Sequence, residues 1–270
     1  MTIVMDEYEW AEEMIASCSL GKKPFETMCR VAKYYLGKNY PKKDVRRMLD
    51  AFLLRCDPGA SLPKWSDMLD YALAQAQKYK PIRVEYIGIT QAEIDRIGAL
   101  DRPQIKRLAF TLLCLSKYFD IVNDTKAHWV NCRDSDIMKM ANINTSIKRQ
   151  SAMYHKLNEL GMIQFSKRVD NTNVRVTFAV DGDAVVRVAD FRNLGYQYML
   201  YSGDQNYVKC QTCGIVVRRN HTIQDGARPV GRPQLNCIDC SASIRTRNAV
   251  NAVMRMDGVK KRNDTHQDRG

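Results

Sequence analysis

The chain has no apolar run long enough to cross a bilayer. The longest, LAFTLLCL at 108–115, falls far short of the roughly 20 residues that a spanning helix needs. It carries no G-x-x-x-x-G-K-[ST], no G-x-G-x-x-G and no H-E-x-x-H, so the usual phosphate-loop, dinucleotide and zincin chemistries have no foothold. Histidine is scarce: His128, His155, His221 and His266 are scattered, with no pair of the kind replication nickases use and too few ligands around His221 for an HNH nuclease. Acidic residues such as Glu85, Asp95 and Asp101 stand alone in sequence, and nothing selects them as a catalytic set. The expectation is a binding protein rather than an enzyme. The opening MTIVMDEYEW lacks the basic, apolar and small-residue order of a signal peptide, which points to a reducing cytoplasm and no membrane partner.

What is present is globular: 270 residues, 45% hydrophobic and 27% charged, enough for two or three domains. Of nine cysteines, Cys18, Cys29, Cys56, Cys114 and Cys132 stand singly and read as core thiols. The other four fall in two pairs, Cys210-x2-Cys213 and Cys237-x2-Cys240. Four thiolates spaced this way can close a tetrahedron around zinc, and Gly214 supplies the positive φ that such a turn needs. A disulfide framework, a redox pair or four unrelated thiols are the competing readings. The first goes with secretion, and the second uses one C-x-x-C beside a βαβ unit. Four cysteine ligands leave no position for water, so the zinc is expected to be structural.

The net charge of +12 is unevenly placed. Residues 1–80 hold 13 basic and 11 acidic groups and 81–131 hold 7 and 6, whereas 132–180 hold 8 against 4 and 210–270 hold 11 against 5. Solubility alone gives no reason for two basic concentrations; a polyanionic partner does.

Proline and glycine punctuate the first 80 residues into four helices. Pro24, Pro41 and Pro63 stand at starts, while Gly21, Gly37 and the Asp57-Pro58-Gly59 stretch stand at stops. Apolar residues recur at helical spacing between them, which predicts a helical scaffold or interaction domain. An extended piece, PIRVEYIGI, precedes a short helix with Thr90 as N-cap and Glu93 placed for a capping box. A long apolar helix opens at Asp101 and Pro103. HWVN then reads as a strand, RDSDIMKMA as a helix, NINT as a turn, and SIKRQSAMYHKLNELG as a helix with Ile147, Tyr154, Leu157 and Leu160 inward. MIQFSKRV and NVRVTFAV follow as two strands across the turn Asp170–Asn173.

That order resembles a winged helix-turn-helix over about residues 101–180, and KLNELGMIQFSKRV is similar to the passage from recognition helix to wing in that family. The resemblance implies a helix in the major groove of double-stranded DNA and a hairpin on the neighbouring backbone. It assigns contacts to Thr145, Ser146, Lys148, Arg149 and His155 on the helix, and to Lys167, Arg168, Asn171, Asn173 and Arg175 on the wing. The stretch 181–208 reads as a linker. Its Phe191, Tyr196, Tyr198 and Tyr201 are expected to pack rather than to stack on bases, because local charge is wrong for phosphate.

The 23 residues between the cysteine pairs suit a hairpin displaying Arg218 and Arg219. Within that span, RPVGRP resembles an AT-hook with Arg232 retained and Val230 in place of the other arginine. Arg245, Arg247 and Arg255 continue the basic character on a helix. The predicted chain is therefore mainly α with small β elements. It has a helical domain over 1–80, a winged helix over 81–180, a zinc ribbon with basic helix over 209–256 and a disordered tail over 257–270. The general style of 101–240 is similar to phage or mobile-element proteins that serve replication initiation or transcription control. The alternative is an adaptor or inhibitor that binds a host protein or nucleoprotein complex.

Overall fold

The computed structural model describes residues 3–167, 173–219 and 234–250. Arg168, Asn171, the RPVGRP loop with Arg232, His221, Arg255 and the tail lie outside the described residues. The elements are mainly helical: α1 Glu7–Ala16, α2 Pro24–Gly37, α3 Lys42–Cys56, α4 Leu62–Lys78, β1 Ile87–Thr90, α5 Gln91–Gly98 and α6 Pro103–Asn123. They continue as β2 Trp129–Val130, α7 Asp134–Met140, α8 Ile147–Glu159, β3 Ile163–Phe165, β4 Val174–Val176, β5 Ala184–Val188, α9 Leu194–Tyr201, β6 Tyr207–Lys209 and β7 Val216–Arg218. Residues 238–250 are also helical. The strands form sheets in the orders β1-β5, β2-β4-β3 and β6-β7. No described helix is long and apolar enough to cross a membrane.

The chain divides into two compact units that interleave along the sequence. The first comprises Met1–Ile94, Cys114–Asn131 and Ser166–Asp190. Of its four N-terminal helices, α2, α3 and α4 start at the expected prolines, and α2 and α3 stop at Gly37 and at Asp57, whereas α1 already ends at Ala16, ahead of Gly21. They bury Met28, Val31, Leu49, Phe52, Leu69 and Leu73, each worth about 1.5–3 kcal/mol of apolar transfer. Asp6 caps α1 through its carboxylate, accepting from the N–H groups of Tyr8 at 2.7 Å and Glu9 at 3.1 Å. β1 and β5 pair antiparallel, Ile87 opposite Val188 and Ile89 opposite Val186, and β2 pairs with β4 through Trp129–Arg175 and Val130–Val174.

The capping box at the start of α5 is present and does more than cap. Glu93 is buried, and its carboxylate accepts from Thr90 N at 2.8 Å, Val180 N at 2.8 Å and Lys117 Nζ at 2.8 Å, while Lys117 also donates to Gly88 O at 2.9 Å. Removing the carboxylate would leave the half-buried Lys117 ammonium without its counter-charge, held only by the carbonyls of Gly88 and Val180, and would take the acceptor from two N–H groups. Glu93→Ala is expected to destabilise the protein by about 3–5 kcal/mol in urea denaturation, whereas Lys117→Met with Glu93→Leu should restore much of that loss.

The second unit comprises Asp95–Leu113, Cys132–Phe165 and Phe191–Gly270. Its core is built from Leu108, Phe110 and Leu112 of α6, Ile137 and Met138 of α7, Met153, Tyr154 and Leu157 of α8, and Leu194 and Tyr198 of α9. Phe110 and Tyr198 meet with ring centroids 5.4 Å apart, and Phe191 is buried as well. Tyr198 and Phe191 of the tyrosine-rich stretch therefore pack as expected, whereas Tyr196 is half-buried and Tyr201 is exposed. The span read as a linker holds β5 and α9.

Two expectations about packing fail. Ile147 and Leu160 point outward, 83% and 46% exposed, because the buried stripe of α8 covers only Met153, Tyr154 and Leu157 and neither end turn is roofed. Of the five single cysteines only Cys114 is buried; Cys18 is exposed, and Cys29, Cys56 and Cys132 are half-buried at element ends and helix flanks.

Candidate metal centre

β6 and β7 form a short antiparallel hairpin, with Tyr207 opposite Arg218, Val208 opposite Val217 and Lys209 opposite Val216. Its turn is the first cysteine knuckle. Cys210 N donates to Ile215 O at 2.9 Å and Gly214 N to Cys210 O at 3.0 Å, and Gly214 takes φ +73°, the left-handed geometry that spares a side chain there. The second knuckle runs into the helix at 238–250. Cys240 N donates to Cys237 Sγ at 3.4 Å, and Gln211 N donates to Leu235 O at 2.9 Å, tying the two knuckles together. Thr212 Oγ1 adds a bond to Asn236 Oδ1 at 2.9 Å.

The result is a cluster of four sulfur atoms, from Cys210, Cys213, Cys237 and Cys240, all within 4.8 Å of one another. Cys213 Sγ and Cys237 Sγ are 3.8 Å apart. A tetrahedron with arms of about 2.3 Å has edges of about 3.8 Å, the spacing of zinc thiolate sites. Among the described residues this is the one group of three or more histidine, cysteine or acidic ligands gathered closely enough to hold a metal ion.

The thiols are unequal. Burial pushes Cys210 up, but N–H groups of Cys213, Cys237 and Thr212 aimed at its sulfur outweigh that and bring it down to about 6. Hydrogen bonding to Cys237 and Cys213, with burial adding, pushes Cys240 up to about 12. Four thiols sharing so small a volume cannot all ionise together unless a cation compensates them.

A polar bracket joins this hairpin to the turn between α7 and α8. Arg192 donates to Cys213 O at 3.0 Å, and Asn193 Nδ2 donates to Val216 O at 2.9 Å. Asn193 Oδ1 accepts from Asn142 Nδ2 at 2.8 Å, and Asn142 O accepts from Arg107 at 3.0 Å. Both asparagines are left-handed, Asn142 at φ +55° and Asn193 at φ +54°, a conformation that asparagine tolerates better than most residues. α9 sits hard against this turn: a Cβ on Gly195 would lie 2.0 Å from Ala141 O.

The expected nucleic-acid contacts are mostly solvent-facing. Ser146, Lys148, Arg149 and His155 on α8 are exposed and Thr145 is half-buried; Arg218, Arg245 and Arg247 in the same unit are exposed. Lys167 and Arg175, exposed, belong to the other unit, as does half-buried Asn173. Arg219 is half-buried and donates to Gln205 O at 2.8 Å, a bond that braces its own hairpin. The first turn of α8 holds no acidic residue, and Ser146 makes no side-chain capping bond. Among the described residues Lys148 and Arg149 form no ion pair, in contrast to Lys156, which meets Glu159 at 3.6 Å. The sequence signals for the cysteine cluster and the basic turn are plain; the asparagine bracket has none beyond two asparagines beside helix ends. Comparison with protein-family models, with curated proteins and with solved structures yields no match to this chain, so its functional reading rests on its own residues.

Proposed function

We propose that this is a zinc-containing protein that binds double-stranded DNA in the cytoplasm, in phage or mobile-element replication or transcription control. Zinc is the favoured ion because the donor set is four thiolates at tetrahedral spacing, and its role is structural, since four protein ligands leave no site for water. When bound, the ion compensates the thiolates and clamps the hairpin. The chain's own residues carry the recognition, and no catalytic role is assigned to any of them.

The observation that carries the reading is the first turn of α8. Helix N-termini favour acidic residues and a side-chain cap, each worth a few tenths to about 1 kcal/mol. Here the sequence places Lys148 and Arg149 instead, with an uncapped start and no acid. That arrangement costs the helix stability and suits an anion brought from outside, such as a DNA phosphate or a guanine edge. Support for a winged helix comes from the element order α6-β2-α7-α8-β3-β4, in which two strands follow the second helix of the turn as a wing follows a recognition helix.

Lys148→Ala with Arg149→Ala is expected to weaken duplex binding at least tenfold and to flatten preference among sequences, while Arg218→Ala should weaken all sequences evenly. Electrophoretic mobility shifts on a panel of duplexes measure both. If neither variant changes binding, the DNA reading fails. A second reading, an adaptor for a host protein or nucleoprotein complex, is favoured by Leu160 and Phe165, exposed after the buried stripe of α8 and on β3. It predicts retention of a protein partner, and no duplex binding, when the intact chain is purified from its host.

A further inference from the structure

Ile147 is the most exposed large apolar side chain among the described residues. It stands at the first position of α8 with exposed Ser146 before it and exposed Lys148 and Arg149 after it. Leaving an isoleucine in water forgoes burial that a core position would give, so a partner that covers it recovers that burial. Such a partner must bring apolar atoms and negative charge to one spot.

Two classes of macromolecule can do this, an acidic protein and the major groove of DNA. Helix-in-groove binding to a protein needs apolar anchors repeated at three- and four-residue spacing. The outward residues that follow Ile147 along α8 are Ser151, Ala152 and His155, all exposed and none of them a large apolar group. The other exposed apolar groups, Leu160 and Phe165, lie past the end of α8 with Phe165 against His155, so the start of the helix offers one apolar side chain among small and polar ones, which fits a different surface. In the major groove the only apolar group offered by base edges is the C5-methyl of thymine, with phosphates on either side.

We infer that Ile147 determines base specificity by packing on a thymine methyl in the major groove, beside contacts made by Lys148 and Arg149. This rests on the duplex-DNA reading above. Sequence recognition by α8 then contains a methyl-dependent element separable from its charge.

The test uses the intact zinc-loaded chain and a duplex library with a randomised core. The enriched duplex is remade with deoxyuridine in place of thymidine, one position at a time, which removes the methyl and keeps every hydrogen bond. At one position the wild-type protein is expected to bind the thymine duplex about four- to tenfold more tightly than its uracil counterpart. Ile147→Ala, at a site outside the core, is expected to bind the two equally, and Ile147→Val to keep part of the preference. Equal binding of every thymine and uracil pair by the wild type, enrichment of no sequence, or a preference that survives in Ile147→Ala overturns this inference while leaving duplex binding intact. Failure to bind any duplex, with capture of an acidic protein instead, overturns the DNA reading as well.

Discussion

In Cys237→Ser, bound zinc is expected to fall from about one ion per chain to a small fraction of that, and the β6–β7 hairpin to lose its structure. Cys237 is buried, its sulfur lies 3.8 Å from that of Cys213, and it accepts the N–H of Cys240 at the head of the following helix. The hairpin itself is only three residues on each strand, far too small to fold unaided. Metal binding in small cysteine sites contributes on the order of 10 kcal/mol of folding free energy, more than any single packing contact. Elemental analysis gives the stoichiometry, and amide exchange at Tyr207–Lys209 and Val216–Arg218 reports the hairpin. Chelation of the wild-type protein should reproduce both changes. Because Arg192 and Asn193 reach Cys213 and Val216 from beside α9, exchange should also quicken around Asn193.

Gly195→Ala is expected to be the most damaging single-methyl change in the second unit. The added Cβ would lie 2.0 Å from the carbonyl oxygen of Ala141 and 2.6 Å from its carbon. Both are backbone atoms at the end of α7, which cannot swing aside as a side chain can. Either α9 lifts or the turn carrying Asn142 shifts, and the Asn142–Asn193 bond of 2.8 Å is broken in each case. Overpacking of this severity costs about 3 kcal/mol, equivalent to a melting temperature lower by about 6–12 °C for a chain of this size. Gly203→Ala, where a Cβ meets nothing within 4 Å, is the matched control, its cost confined to the positive φ of that residue.

Signals that act within a few residues are legible in the amino-acid sequence itself. The prolines and glycines of the first 80 residues, the Thr90–Glu93 capping box and the Gly214 turn each describe chemistry completed within a turn or two of chain. The cysteine cluster is legible for a related reason, since two C-x2-C pairs announce their own geometry and need only be brought together. What is not legible depends on distant partners. Glu93 meets Lys117 and Val180, residues 24 and 87 positions away, and Asn142 meets Asn193 across 51 positions. Nothing in the local pattern of either side names the other. Helical periodicity places Ile147 on the inward stripe of α8, but period alone cannot say whether another element roofs the first turn. The single cysteines mislead for the same reason, because a thiol at a helix end is apolar enough for a core without being obliged to reach one.

The most direct measurement is the affinity of the intact, zinc-loaded chain for a short duplex, taken by fluorescence anisotropy between about 50 and 200 mM salt. A protein that neutralises several phosphates shows log K falling with log salt at about 0.9 per phosphate. The account predicts a slope of about 3 or steeper, reduced by about one for each of Lys148, Arg149 and Arg218 that contacts a phosphate when it is replaced by alanine. A flat salt dependence, or no duplex binding by protein carrying its full complement of zinc, would contradict it.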